Sequence, residues 1–515
     1  MELRPALDGY YGIPQETRLL FSALATLPEL QLTGFLQMSK RRLRGGIYGS
    51  SRADRALELH QSSQVVVSLK GNTAIDWKDG VGEWLGERWH DALLRWRTWI
   101  GGRVPVGDFD GEAFADYLWQ ELFGRSLPAA DRPTVVGHSH YKVCAEPWRW
   151  MHLAGIERSQ VWRRSRYPRL DTQGSDVFIA QTPFPGRVRR GTALVVHYHD
   201  AIPVLMPHTI SDRAFHQASH FQALAANVRD GAWFACVSES TRRDLLTLFP
   251  QAEARSQTLY NMIPAHYAPT EPEPERIPGI ARRYSHSQFM GKSKQRSGSK
   301  ALEKTWTLFR RFGNEEDRAR YLEQSLGKES RFLLMVSTIE PRKNHARLLA
   351  AWEALHGQDP ELRLILVGHI GWDYEQALDS MLPWIEEGSL FLLQNVPADS
   401  LRILFRQALV TVCPSVGEGF DFSGIEAMRC GGVTVASDIP VHREVYGEAT
   451  RYFDPYDTAS LVTTLRPLLY GEDAESQREA LRAAGIRHSE RYLPERILPQ
   501  WEQFLRRDLC SGAGR

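Results

Sequence analysis

The chain has 515 residues, with 63 lysines and arginines against 62 aspartates and glutamates, a formal net charge of +1 and 42% hydrophobic residues. At roughly 150 residues per domain, this length predicts two or three globular domains, and the composition excludes a fibrous or largely disordered chain. A charge balance this close to zero also excludes a chain that binds polyanions over its whole surface, while local basic patches stay open.

The cysteines and the N-terminus indicate the environment. Five scattered cysteines without CxxC spacing do not build a disulfide framework, so we expect a reducing, cytoplasmic setting. The first residues, MELRPALDGYYG, lack the basic and apolar regions of a signal peptide. The longest apolar runs have about five residues, whereas a membrane span needs about 20. We therefore expect a cytoplasmic protein, with peripheral contact at the inner face of the cell membrane as the alternative.

The first half of the chain predicts short strands with helices between them. Apolar runs predict strands over residues 3–7, 64–69, 177–180, 194–197 and 233–237. Residues 70–170 hold nine of the fifteen tryptophans and have helical patterns over residues 84–99 and 114–123. We interpret this tract as a helical, Trp-rich insertion whose tryptophans pack in the core. The alternative is a set of exposed aromatic rings that stack on sugars or lie at a membrane surface.

The join between the two halves has a distinct composition. Residues 269–278 are rich in proline and glutamate, and residues 282–311 contain nine lysines and arginines against one glutamate. We expect residues 266–327 to form a basic interdomain linker or loop. Contact of residues 282–311 with anionic lipid headgroups is the alternative, and nucleic acid is disfavoured because no binding module accompanies the charge.

The second half alternates apolar runs with helix-length amphipathic segments, which is typical of a doubly wound α/β domain with a parallel sheet. Strands are predicted over residues 332–336, 362–367, 390–393, 410–413 and 433–436, and helices over residues 346–355, 374–384, 400–408 and 424–430.

Two segments of this half carry chemistry. Residues 414–432 read PSVGEGFDFSGIEAMRCGG, a glycine turn followed by a helix whose free N–H groups and dipole suit a diphosphate. Glu418 and Glu426 flank this anion site and can accept bonds from ribose or hexose hydroxyls; for Glu426 alone, the alternative is a carboxylate that balances the helix dipole. Residues 337–344, STIEPRKN, place Arg342 and Lys343 at a strand end, where open α/β sheets bind ligands. Glu340 is expected to orient these cations.

These segments resemble the EGFG-LEAM-CG signature and the diphosphate loop of family-4 retaining glycosyltransferases. Three further segments, VGHIGWDYE, LRILFRQALVTVCPS and SDIPVHREVYGEATRYFDP, are similar to the same family, and HDAIPVLMP resembles a segment of bacterial mannosyl- and rhamnosyltransferases. The resemblance is specific over about residues 330–480, fair over 190–265 and weak elsewhere.

The resemblance implies a GT-B fold, in which two Rossmann-like, doubly wound domains face each other across a cleft. An N-terminal acceptor domain would cover residues 1–265, with the insertion at about 70–170. The nucleotide-sugar domain would cover residues 328–485, and a C-terminal helix at 486–515 would cross back to the first domain.

The resemblance also implies a role for each matched residue. The catalytic residues would be Glu418, His199 and Asp200. The donor diphosphate would be bound by Arg342, Lys343, Gly12, Ser423, Gly424 and Ile425. The transferred sugar and the ribose would be bound by the amides of Gly419, Phe420 and Asp421 and by the Glu426 carboxylate.

Two departures from the family pattern concern these roles. Many relatives have an arginine where Thr338 stands, so phosphate binding can rest on Lys343 alone. The first turn, DGYYGIPQET, is not a compact glycine pair, which weakens the role of Gly12. Two HxH pairs, at residues 138 and 140 and at 197 and 199, could ligate zinc, but no third ligand follows. We expect no metal and no cofactor, since basic residues and a helix dipole replace a cation in this family.

The function implied is retaining, metal-independent transfer of a hexose to a lipid-linked or polysaccharide acceptor in surface glycan biosynthesis. Mannose from GDP-mannose is the preferred donor, and UDP-glucose, UDP-galactose and dTDP-rhamnose stay open. A sugar phosphorylase is a second enzymatic alternative. A degenerate scaffold that binds glycans is the non-enzymatic one, and nucleic acid is not expected as a partner.

Overall fold

The computed structural model describes residues 1–7, 9, 12–48, 54–70, 77–137, 139–162, 164–285 and 325–508. The chain divides into two compact units. The first comprises Met1–Pro207, Asp212–Pro264 and the chain from Pro494 onward, and the second comprises His208–Ser211 and Ala265–Leu493. Each unit has its own parallel sheet with helices, which confirms the predicted α/β class with two Rossmann-like units.

The first unit is built from short strands and mostly longer helices. Its strands are β1 (Thr33–Leu36), β2 (Arg103–Val104), β3 (Val106–Phe109), β4 (His140–Cys144), β5 (Arg169–Leu170), β6 (Val177–Ala180), β7 (Ala193–Tyr198), β8 (Trp233–Cys236) and β9 (Ser256–Thr258). Its first helices are α1 (Ile13–Ala25), α2 (Arg55–Lys70), α3 (Trp77–Ile100), α4 (Ala115–Leu118), α5 (Trp148–Trp162), α6 (Ile202–Leu205), α7 (Arg213–Arg229) and α8 (Glu239–Leu248).

Strands β6, β7, β8 and β9 pair in that order as a parallel sheet, and β1, β4 and β3 form a second sheet. The N-terminal residues lie between the two sheets. Glu2 bridges to Phe35 in β1, and its amide donates to the carbonyl of Ile179 in β6 at 2.8 Å. Because β6, β7 and β8 are parallel, their carboxyl ends lie at the same edge of the sheet. The residues that follow these strands at that edge form a candidate ligand site.

Two strands predicted in this half are wrong. Residues Arg4–Leu7 form a 3-10 helix, because Pro5 has no N–H group to donate to a sheet. Residues 64–69 lie inside α2, although valines dominate them. Val65 and Leu69 are buried four residues apart together with Ser62, so burial at the helical period overrides the strand preference of valine.

The tract at residues 70–170 is also different from the helical insertion predicted. It contains α3, but it also contains β4, which is the middle strand of the β1-β4-β3 sheet. Core packing is wrong for three tryptophans of α3: Trp89, Trp96 and Trp99 are exposed by 70%, 58% and 59%. These tryptophans are seven and three residues apart, which places them on one side of α3. Helix α3 itself packs against α5.

The second unit has one sheet in which all strands are parallel, in the order β12-β11-β10-β13-β14-β15. Its strands are β10 (Arg331–Val336), β11 (Leu362–Val367), β12 (Leu390–Leu393), β13 (Val410–Cys413), β14 (Thr434–Ser437) and β15 (Arg451–Phe453). Its helices are α9 (Ile277–Tyr284), α10 (His345–His356), α11 (Glu375–Glu387), α12 (Ala398–Gln407), α13 (Phe422–Arg429), α14 (Pro440–Tyr446), α15 (Thr458–Tyr470) and α16 (Ala474–Ser489). The strands and helices predicted for this half agree with these bounds to within three residues at each end.

The strand order reverses between β10 and β13. From β10 the chain runs outward through β11 and β12, and then returns to β13 on the other side of β10. The loops that follow β10 and β13 therefore leave the sheet at this reversal of strand order, which is the place where open α/β sheets bind ligands. Both sequence segments predicted to carry the chemistry lie in these two loops.

The predicted linker at residues 266–327 is wrong in its first part. Helix α9 lies there, with Ile277, Ile280 and Ala281 buried in the second unit. The carbonyl of Tyr284 accepts the amide of Gln394 at 3.1 Å. Burial of one apolar face explains why a proline-rich, basic sequence is helical at this point. Residues 286–324, which hold most of the basic tract, lie outside the described residues.

The chain returns to the first unit at Pro494, rather than at the residue 486 of the predicted boundary, since α16 belongs to the second unit. The last helix, α17 (Pro494–Gln503), buries Ile497 and Trp501 in the core that also contains Leu3 and Leu36. Among the described helices, none is long and apolar enough to cross a membrane.

Candidate functional site

The loops after β10 and β13 are joined to each other by hydrogen bonds. We call residues 337–344 the β10 loop and residues 414–421 the β13 loop. The Val416 amide donates to the carbonyl of Arg342 at 3.0 Å. Asn344, at a φ of 59°, donates its side-chain amide to the carbonyls of Pro414 and Pro455 at 3.0 and 2.9 Å. The relative position of the two loops is thus fixed by backbone groups as well as by side chains.

The cations of the β10 loop bind the first glutamate of the β13 loop. Lys343 Nζ donates to Glu418 Oε1 at 2.5 Å, and Arg342 Nη1 donates to Glu418 Oε2. The Arg342 guanidinium also donates to the carbonyl of Gly417 at 2.8 Å and to Glu340 Oε1 at 2.7 Å. The structure therefore brings together the three predicted side chains, and Glu340 contacts Arg342 as expected.

This cluster is almost closed to solvent. The side chains of Arg342 and Lys343 are exposed by 16% and 15%, and that of Glu418 by 7%. Burial alone would raise the pKa of the Glu418 carboxyl, but Arg342 and Lys343 outweigh it and hold that pKa below its ordinary value. Burial likewise opposes the charge of Lys343, yet Glu418 keeps the pKa of that ammonium above its usual range. Burial raises the pKa of Glu340, and Arg342 offsets only part of the effect.

Helix α13 begins right after the β13 loop, at Phe422, two residues before the predicted start. The Asp421 side chain makes no capping bond to α13, so the first amides of α13, at Ser423 and Gly424, are available to an anion. Glu426 is therefore the fifth residue of α13, two residues deeper than predicted, and is 3% exposed.

The aromatic residue of the β13 loop is a core residue. The ring of Phe420 is buried and packs edge-on against Tyr492 and Phe422, with centroids 5.2 and 5.3 Å away. Only the backbone of Phe420 can therefore face a ligand, which is the part that the resemblance assigned to sugar binding. Gly419 lies next to it in the same loop, between Glu418 and Phe420.

Asp421 forms a polar cluster that the sequence reasoning missed. Its carboxylate accepts from Ser423 Oγ at 2.8 Å and lies 3.1 Å from His442 Nε2. The other ring nitrogen of His442 lies 3.0 Å from Ser437 Oγ, at the end of β14. Burial would raise the pKa of Asp421, but Lys343 and His442 reverse this and depress it strongly. The sequence signal was an aspartate in a glycine-rich turn, together with a lone histidine in the segment SDIPVHREVYGEA.

In the first unit, His199 follows β7 at the carboxyl edge of the sheet. Its ring centroid lies 4.5 Å from that of His197, which confirms that the alternating pair shares one face. Burial lowers the pKa of His199 to about 3, so its imidazole is neutral at physiological pH. Its Nε2 atom has no hydrogen-bond partner within the described residues. The neighbouring Asp200 accepts the amide of Ile202 at 3.0 Å.

The imidazole of His197 is fixed by residues that the sequence did not single out. Its Nδ1 lies 3.1 Å from Gln181 Oε1, and Trp501 of α17 packs edge-on against its ring at 5.2 Å.

Gly12 precedes α1 at a φ of 72°, which suits glycine. Nearby, the Arg18 guanidinium donates to the carbonyl of Gly9 at 2.7 Å.

Metal ligands were expected to be absent, and the HxH pairs were the only candidates. His138 lies outside the described residues. Across the residues that the structure does describe, no three histidine, cysteine, aspartate or glutamate side chains are grouped as metal ligands would be.

Comparison with known proteins finds a family match within the second unit. Residues 317–488 match the family described as "Glycosyl transferases group 1". Over 134 residues, 25% of this chain, it is 35% identical to "Serotype-specific mannosyltransferase WbdA" of Escherichia coli, and the match spans 16% of that protein. Over 171 residues, 33% of this chain, it is 32% identical to "O-antigen chain mannosyltransferase B" of Escherichia coli, and the match spans 44% of that protein.

Among solved structures, sucrose-phosphate synthase from Thermosynechococcus elongatus aligns with 73% of this chain and 84% of its own, at 15% identity and a TM-score of 0.48. The matched segments span less than half of the two mannosyltransferases. The β10 loop, the β13 loop and α13 all lie inside the matched range, and residues 317–488 belong to the family of group 1 glycosyl transferases.

Proposed function

We propose that this chain is a hexosyltransferase that takes the sugar from a nucleoside-diphosphate sugar and transfers it to a glycan acceptor. The observation that carries the proposal is the cluster at the strand-order reversal, where Arg342, Lys343, Glu418 and the N-terminus of α13 lie within one pair of loops. Cations and helix amides suit a diphosphate, and a buried carboxylate suits sugar hydroxyls.

In this mechanism the protein stabilises the departing diphosphate. Lys343, with Arg342, would neutralise its oxygens, and the amides of Ser423, Gly424 and Ile425 would donate to it. Because these groups are held by the β10 and β13 loops before the reaction, little reorganisation is needed as charge develops on the leaving group. The same groups supply the positive charge that a divalent cation provides in other transferases, and we propose that transfer proceeds without one.

The sugar would lie against the β13 loop. Glu418 would accept from its hydroxyls, the amides of Gly419, Phe420 and Asp421 would face it, and Glu426 would bind the ribose. We propose retention of the anomeric configuration by attack on the face from which the diphosphate leaves, with a diphosphate oxygen taking the proton of the acceptor hydroxyl. The new glycosidic bond forms as the bond from the anomeric carbon to the diphosphate breaks.

We propose that His199 and Asp200 of the first unit contact the donor sugar, and that Gly12 lies near the phosphates or the acceptor. The neutral imidazole of His199 has an Nε2 atom without a partner among the described residues, and this atom can donate to or accept from a hydroxyl without introducing a charge. A neutral contact of this kind fits a sugar, whose hydroxyls carry no charge.

Mannose from GDP-mannose is the donor we propose. The support is that several relatives are named mannosyltransferases, one of them "GDP-mannose:cellobiosyl-diphosphopolyprenol alpha-mannosyltransferase" of Xanthomonas oryzae, which is 30% identical over 131 residues. UDP-glucose, UDP-galactose and dTDP-rhamnose are the competing donors. A sugar phosphorylase would use the same site with inorganic phosphate as the acceptor.

We propose a lipid-linked or polysaccharide acceptor of surface glycan synthesis, used at the inner face of the cell membrane. The basic tract at residues 282–311 would contact anionic lipid, and the exposed Trp89, Trp96 and Trp99 of α3 are the residue type that concentrates at membrane–water interfaces. Wild-type protein should sediment with phosphatidylglycerol vesicles, and replacement of the three tryptophans by serine should reduce that fraction. Equal sedimentation of both proteins would contradict the membrane role of this face.

The proposed activity is tested in two steps. Binding of GDP, UDP and dTDP is first ranked by calorimetry, because the preferred base identifies the donor. The matching nucleotide sugar is then incubated with lipid-linked oligosaccharide acceptors or with inorganic phosphate. Lys343→Ala should abolish both binding and transfer, whereas Lys142→Ala, a lysine on β4 of the first unit, should preserve them. Failure of all three diphosphates to bind would leave the scaffold alternative.

A further inference from the structure

The β13 loop contains a backbone conformation that needs support. Asp421 has a φ of 63° and a ψ of 91°, in a region that glycine enters freely and other residues rarely adopt. Asp421 lies between Glu418 and the start of α13, so its backbone sets the direction of both. A non-glycine residue persists in such a conformation only when its surroundings hold it there.

The side chain of His442 supplies much of that support. The depressed pKa of Asp421 keeps its carboxylate ionised, so it can only accept, and the Nε2–H of His442 donates to it at 3.1 Å. On the other side of the ring, Nδ1 lies 3.0 Å from both the hydroxyl and the carbonyl oxygen of Ser437. Ser437 Oγ in turn donates to the carbonyl of Ser415, inside the β13 loop. His442 therefore connects both ends of this loop to the end of β14.

Helix α14 holds the imidazole ring in place. The ring of Tyr446 stacks on that of His442 at 5.0 Å and 24°, and the Tyr446 hydroxyl donates to the carbonyl of Asp421 at 3.2 Å. Tyr452 donates to the carbonyl of His442 at 3.1 Å. His442 and Tyr446 are fully buried, so water does not compete with these bonds.

We propose that His442 is a positioning residue for sugar transfer, which acts through Asp421 to hold the β13 loop so that Glu418 and the first amides of α13 keep their places. This inference rests on the proposed function. It gives His442 no contact with the substrate, since Asp421 lies between them. Its effect should be larger on turnover than on donor binding. Lys343 and Arg342, which would also bind the diphosphate, are carried by the β10 loop, and the amides of α13 would matter most as charge develops on the leaving group.

The chain offers a matched control for His442. His356 is also buried in the second unit, its ring stacks on Trp352 at 4.6 Å and 23°, and its Nδ1 lies 3.0 Å from the carbonyl of Leu362. No carboxylate bonds to His356 within the described residues, and it lies at the end of α10, away from the β13 loop. Replacement of either residue removes a buried, stacked histidine, but of the two only His442 supports the β13 loop.

The experiment compares His442→Phe, His442→Gln and His356→Phe in the full chain. We expect His442→Phe to lower kcat about 10- to 100-fold with KM within about threefold, since small displacements of a reacting group have effects of this size. His442→Gln can still donate to Asp421 and should recover most of kcat, and His356→Phe should keep it. Equal kcat in the two phenylalanine variants, or no recovery with glutamine, would overturn the proposal.

Hydrogen exchange separates this inference from the proposed function. Amides of residues 416–424 should exchange faster in His442→Phe than in His356→Phe, in the absence of any nucleotide. If the wild-type chain transfers no sugar but this difference is seen, the proposed function is wrong and the support of the loop is right. If exchange is equal in the two variants, the support of the loop is wrong, whatever the activity.

Discussion

Replacement of Glu418 by glutamine should strengthen nucleoside-diphosphate binding while it reduces transfer. In the structure, both cations of the β10 loop are bonded to the Glu418 carboxylate, with Lys343 Nζ at 2.5 Å. A diphosphate that binds Lys343 must share that ammonium with a negative charge on its other side. Glutamine removes this charge and keeps nearly the same shape, so the cations become fully available to the phosphates.

The size of the effect follows from Coulomb's law. With a phosphate oxygen about 6 Å from Glu418 and an effective dielectric constant of about 20, one pair of unit charges repels by about 3 kcal/mol. Relaxation and salt reduce this value, so we expect a gain of about 1.4–2.8 kcal/mol, which is about 10- to 100-fold in Kd. Transfer should fall at the same time, because glutamine is a weaker acceptor for the sugar hydroxyls.

Calorimetry with GDP or UDP at two salt concentrations measures the change. Glu387→Gln, on the exposed end of α11, is the control for the change in net charge and should leave Kd unaltered. The gain in Glu418→Gln should shrink at high salt, since it is electrostatic. Unchanged or weaker binding of the diphosphate would show that Glu418 does not compete for Lys343 and would refute the assignment of this cation to the phosphates.

Three further predictions concern the stability of the site and its frame. Gly424→Ala should lower the free energy of unfolding by about 1–3 kcal/mol in a denaturant titration, because its Cβ would lie 2.4 Å from the buried Tyr446 side chain; an unchanged midpoint would contradict this packing. Asp421→Asn should lower the free energy of unfolding by about 2–3 kcal/mol at pH 7. Because the pKa of Asp421 is depressed in the folded state, the ionised carboxylate stabilises the fold above the unfolded pKa of about 3.9, and this stabilisation is lost as the pH falls towards the folded pKa. The difference in unfolding free energy between the wild type and Asp421→Asn should therefore narrow below about pH 4. If this difference in unfolding free energy widens as the pH falls, the ionised Asp421 carboxylate does not stabilise the fold. Ser238→Ala removes the oxygen that accepts the Thr241 amide at 3.0 Å at the start of α8. The loss of this cap should destabilise the protein by about 1 kcal/mol and so lower its melting temperature, whereas Ser→Ala at an exposed position should leave the melting temperature unchanged.

The sequence by itself determined the second unit. Its strands are mostly buried on both faces and appear as largely apolar runs, such as residues 362–367 and 390–393, whose bounds were predicted without error. The position of Arg342, Lys343 and Glu418 followed from the rule that ligands bind at strand ends. The resemblance to glycosyltransferases, which depended on these same residues, is confirmed by the family match.

The first unit was less predictable because its local signals conflict with tertiary burial. The valines at 65–67 favour a strand, but the helical spacing of the buried Val65 and Leu69 decides for a helix. Three tryptophans expected in the core lie exposed on α3, since a tryptophan count says nothing about which face of a helix is covered. The start of α13 was misplaced because Asp421 in a positive-φ conformation ends the loop two residues early.

The candidate site shows the same division between sequence and structure. Residue types and their spacing along the chain identified the two loops, because phosphate and sugar chemistry restricts which side chains can serve. Only the tertiary structure showed that Arg342 and Lys343 bind Glu418, and that His442, 21 residues further along the chain, supports Asp421. The pairing of β10 with β13 brings Arg342 and Lys343 to Glu418, and the packing of α14 against α13 brings His442 to Asp421. No periodicity in the sequence encodes a contact between two loops.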